Sequence, residues 1–125
     1  MMKLSDLNKA WKQDTFFIYK LGLIEYQCKV KYLPFLNGNR NEYGNQDLSE
    51  IYTPVFHLEF EALNTKCMIY QSHWIMPYSL VWFLNNYPDS SLEIMVRFTA
   101  KENGFVDRIS VVNRQLQKGT QLSIF

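Results

Sequence analysis

His57, Glu59 and Glu61 form the chain's best arrangement for acid–base or metal chemistry, inside the stretch FHLEFEA. They recur at every second position, the spacing that puts side chains on one face of an extended strand. An imidazole beside two carboxylates is a donor set for a divalent metal and also a pairing used in general acid–base catalysis. Same-face residues of one strand stand roughly 6.5–7 Å apart, however, so three of them converge on a single ion with difficulty. The expectation is a solvated outer face with no metal and no cofactor. His73 could serve as a base toward Cys67 or Ser72. A nucleophile needs a base held in place by a third group, and adjacent strand residues point to opposite faces. The sequence has no glycine-rich phosphate loop, nucleophile elbow or CxxC pair. It reads as a non-enzymatic chain.

Binding chemistry has more to draw on. Lys29 and Lys31 make an outward basic pair on an alternating stretch, and Arg97 and Arg108 are expected to project from a hairpin near the C-terminus. Arg40 and Tyr43 lie in FLNGNRNEYGNQD, a stretch rich in turn-forming residues. With Tyr52 and Tyr70 these residues could grip a single-stranded nucleic acid, cations on phosphates and rings on bases. A net charge of +1 and a pI near 7.7 lack the footprint of a dedicated duplex binder. The alternative is a protein-interaction domain, such as a small inhibitor, adaptor or assembly subunit. An aromatic share of 16% is more than a chain of 125 residues is expected to hide completely.

The elements that would position these residues follow from periodicity. Ser5 precedes Leu7, Ala10 and Trp11, a spacing that predicts a helix over 6–13. From Thr15 the period becomes two. Tyr26, Cys28, Val30 and Tyr32 take one face, and Glu25, Gln27, Lys29 and Lys31 the other. Gly22 marks a bulge in one long strand or a break between two. Phe56, Leu58, Phe60 and Ala62 face inward in the next strand, with Val55 placed outward beside His57, and TKCMIYQSHW continues the alternation.

No Asp, Glu, Lys or Arg falls between Lys66 and Asp89. A spanning helix needs about 20 predominantly apolar residues, and this window is interrupted by His73, Pro77, Ser79, Asn85 and Asn86. Pro77 instead suits the first turn of a short helix over 77–86. Apolar residues surround that helix, so it is expected to be buried as a plug, its tryptophan included.

Leu92, Ile94, Val96, Phe98 and Ala100 alternate again, and Asn103-Gly104 suits a hairpin turn. A last short strand is expected in TQLSIF. The element order then matches a small, mainly β, OB-like antiparallel barrel, a β-rich α+β fold of one domain over 1–125. A helix packed on a curved antiparallel sheet is the rival architecture. The N-terminal stretch lacks a signal-peptide core, and both Cys28 and Cys67 sit at inward positions. Both features suggest reduced thiols in a cytoplasmic protein, a monomer or weak dimer with no membrane span.

Overall fold

Alternation decides the first half of the chain. In the computed structural model, which describes residues 2–33, 47–65 and 69–118, the strands are β1 (Thr15–Leu21), β2 (Ile24–Tyr32), β3 (Phe56–Ala62) and β4 (Tyr70–Ile75). They form one antiparallel sheet in the order β1-β2-β3-β4. Gly22 breaks the first long stretch into two strands. Leu21 pairs with Ile24, which leaves a two-residue turn, and Gly22 takes φ 60°. That sign at the first turn residue is the one a tight hairpin between right-twisted strands requires.

One face of the sheet is packed. Tyr26, Cys28 and Val30 of β2 and Phe56, Leu58 and Phe60 of β3 are all buried. Three helices follow β4: α1 (Pro77–Asn86), α2 (Leu92–Glu102) and α3 (Phe105–Gln117). The Phe105 ring of α3 sits 5.1 Å from that of Phe60 and 5.3 Å from that of Tyr26. This sheet-on-helix contact buries apolar area at about 25 cal/mol per Å².

The C-terminal half corrects the barrel expectation. Residues 92–102 and 105–117 are helices, so the two closing strands of an OB-like barrel are missing and the described sheet is open, with β1 and β4 at its edges. The apolar residues of 92–100 fit both periods. Leu92, Met95, Val96, Thr99 and Ala100 also lie at i, i+3, i+4, i+7 and i+8, and these are the positions that are buried. Local chemistry decides between them. The Ser91 hydroxyl accepts the Ile94 N–H at 3.2 Å, Glu93 occupies the first turn and Lys101 the last. Gly104, read as a hairpin residue, has φ 78° and separates two helices, with its N–H donating to the Lys101 carbonyl. A left-handed glycine ends a helix as readily as it turns a hairpin.

Two smaller corrections concern the N-terminus and β3. The helix expected over 6–13 is a pair of 3-10 turns, Leu4–Asp6 and Lys9–Trp11. Asn8 rather than Ser5 caps the second by accepting the Ala10 N–H. Leu4, Leu7 and Trp11 are still buried, with the Trp11 ring 6.3 Å from Phe56. Val55, placed outward, is fully buried because the alternation starts only at Phe56; its N–H donates to the Ile75 carbonyl. Cys67, the 35–46 stretch and TQLSIF lie outside the described residues.

Candidate interaction cleft

β4 and α1 are continuous through Met76, so the uncharged window wraps around one end of the sheet. Pro77 opens α1 at its first position, where a missing N–H costs nothing. Leu80 and Phe83 turn into the core, as the plug reading expected. The other side of the helix does not follow that reading. Tyr78 is 74% exposed and Trp82 53%. A ten-residue helix that is apolar all round has more apolar surface than one packed side can cover.

Those rings border a cleft of about 420 Å³ between β4, α1 and α2. Trp74, Tyr78, Trp82 and Phe98 supply its aromatic walls, and among the described residues no Asp, Glu, Lys or Arg lines it. Phe98 holds Trp82 at a ring separation of 6.0 Å, and Trp74, 55% exposed, stacks on the His57 ring at 4.1 Å. The cleft therefore runs through Trp74 onto the outer face of the sheet.

A polar network forms one wall. The Gln71 side-chain amide donates to the Asn103 carbonyl at 3.2 Å and lies against the His73 ring nitrogen Nε2. Partial burial lowers the His73 pKa below its ordinary value, and the Arg108 charge adds to the effect. Both effects favour the neutral imidazole. Ser79, Thr99 and Asn103 add further uncharged polar groups to the lining.

The residues singled out by sequence divide between two sides of the molecule. Lys29, Lys31 and Tyr70 share the outer sheet face and are exposed. Lys29 pairs in register with Glu59 and Lys31 with His57. Lys20 faces Glu25, and Gln27 faces Glu61, so lysines and glutamates alternate across that face and form no basic track. Tyr52 is exposed in the segment before β3. Arg97 and Arg108 belong to the helical layer instead. Arg97 lies 3.6 Å from Glu93 and 5.2 Å over the Tyr19 ring, and Arg108 lies 5.9 Å from the Phe105 ring. Arg40 and Tyr43 lie outside the described residues.

His57 and Glu59 approach to 3.5 Å, but among the described residues no group of three His, Cys, Asp or Glu could hold a metal ion. Cys28 is buried, and desolvation pushes its thiol up to about 12. No described helix is long and apolar enough to cross a membrane. Sequence reasoning missed Trp74, Tyr78 and Trp82 as surface groups. The usable signal was the four-residue spacing of Tyr78 and Trp82 on a helix too apolar for its length. Comparison with protein-family models, with curated proteins and with solved structures found no match to this chain.

Proposed function

We propose that this protein is a non-enzymatic protein-interaction domain, an inhibitor, adaptor or assembly subunit in kind, that docks a partner protein at the cleft between β4, α1 and α2. The observation that carries this reading is the exposure of Trp74, Tyr78 and Trp82 around one uncharged depression. Contiguous exposed apolar surface marks interaction sites, and tryptophan and tyrosine dominate the energetics of such contacts. Single-stranded nucleic acid fits less well. Its expected cations are split between the outer face and the helical layer, and the outer lysines sit among carboxylates.

Site-specific photo-crosslinking tests the reading. A photoreactive phenylalanine analogue replacing Tyr78, in the cells the protein comes from, should capture one defined protein, whereas the same analogue at Lys29 should not. Equal capture from both positions contradicts the reading. So does salt-dependent binding of a labelled oligonucleotide at micromolar protein.

A further inference from the structure

Among the described residues β4 is an edge strand with no neighbour on its outer side. The Ala62 N–H donates to the Ile69 carbonyl at 3.1 Å, which fixes the phase of the β3–β4 ladder. In an antiparallel pair, alternate residues exchange their backbone bonds with the neighbouring strand. The β3–β4 register therefore turns the backbones of Gln71, His73 and Ile75 toward β3. The N–H and C=O groups of Tyr70, Ser72 and Trp74 point away from the sheet. Among the described residues none of these groups has a hydrogen-bond partner.

That row of donors and acceptors runs beside the aromatic cleft, which His73, Trp74 and Ile75 of the same strand help to line. We propose that the occupant is an extended segment of a partner protein, added to the sheet as a fifth strand against β4, with its alternate side chains entering the cleft. This rests on the interaction reading and specifies its mode. Only an extended polypeptide presents donors and acceptors at the repeat that β4 leaves open. The span from Tyr70 to Trp74 matches about five residues at roughly 3.4 Å each. The segment's inward side chains are apolar or aromatic, because among the described residues the cleft has no charged wall group to compensate a buried charge.

Selection of a random twelve-residue peptide display library on the full chain tests this without knowledge of the partner. The enriched peptides should carry apolar residues at every second position. N-methylation of alternate peptide nitrogens should weaken binding about tenfold, as expected for lost backbone bonds, while methylation of the intervening nitrogens should change little. Ser72→Pro removes one outward N–H and no bond to β3, so it should keep the melting temperature and weaken the same peptides to a similar degree. Peptides that lose binding to Trp82→Ala yet ignore N-methylation would overturn strand addition and leave the interaction cleft standing. Peptides indifferent to both changes would overturn both readings. Absence of any enriched peptide, or pairing of β4 with a second copy detected by light scattering, also overturns strand addition by a partner.

Discussion

The two edges of the sheet are treated differently. At the β1 edge the helical layer reaches over and holds the hairpin: Asn113 of α3 accepts the Leu23 N–H at 2.7 Å, and its side chain occupies the space where a Cβ on Gly22 would stand. Arg97 of α2 covers the Tyr19 ring. At the β4 edge the Gln71 side-chain amide donates to the Asn103 carbonyl, and the helices leave a cleft bordered by exposed aromatics. A long unprotected edge is an aggregation hazard. Both edges leave outward backbone groups without a partner among the described residues, and the cleft bordered by Trp74, Tyr78 and Trp82 beside β4 is the physical ground for assigning that edge to a partner.

The comparison can be broken first at the element both edges share. Phe60 on β3 is fully buried between the sheet and Phe105. Phe60→Ala should cost about 3–5 kcal/mol, read from urea denaturation, and should weaken both edges together. A loss below about 1 kcal/mol would mean that the sheet and helices do not pack around this ring.

At the held edge, Gly22→Ala should cost about 1–2 kcal/mol for the left-handed backbone, and more because Asn113 must move. Asn113→Ala removes only the bond to Leu23 and should cost about 0.5–1.5 kcal/mol. Equal stability of Gly22→Ala and wild type in chemical denaturation would show that the hairpin is not clamped.

At the open edge, Trp82→Ala should cost about 1–2 kcal/mol, since only half of the ring is buried. The difference between this value and that for Phe60→Ala separates a surface aromatic from a core one.

A further effect concerns pH. Burial raises the Cys28 thiol from 9.0 to about 12 and also raises Tyr19 and Tyr26. A folded state that keeps its protons more tightly is favoured below the unfolded pKa and loses that advantage as pH rises toward the folded one. Stability should therefore fall between about pH 9 and pH 12. Cys28→Ala should flatten part of this slope in denaturation curves taken across that range. An unchanged slope would place the alkaline sensitivity in the tyrosines alone.

The sheet was legible because its polar and apolar residues alternate without a competing period. The sides of β2 and β3 follow directly from Tyr26 to Tyr32 and from Phe56 to Ala62, and Pro77 announced α1. The helices α2 and α3 were not legible from periodicity. Leu92, Val96 and Ala100 serve either period, and Asn103-Gly104 is chemically suited to both a hairpin and a helix stop. The discriminating signals were local: Ser91 as a cap, with Glu93 and Lys101 placed to complement a helix dipole. For the site, single-residue exposure was readable at Lys29, Lys31 and Tyr70, but which of them share a side depended on whether residues 92–117 were strand or helix. Trp82 was assigned to the core because sequence shows how apolar a helix is and not how much of it finds a covering surface.

The most direct test of the open-edge account is the affinity of a Trp74→Ala/Trp82→Ala double variant for the protein captured through position 78, measured by fluorescence anisotropy alongside its unfolding curve. Two central aromatic anchors at about 2 kcal/mol each, acting additively, predict a dissociation constant raised on the order of 1,000-fold in a chain that still unfolds cooperatively. An unchanged dissociation constant, or a stability loss as deep as that of Phe60→Ala, would contradict the assignment of these rings to a partner.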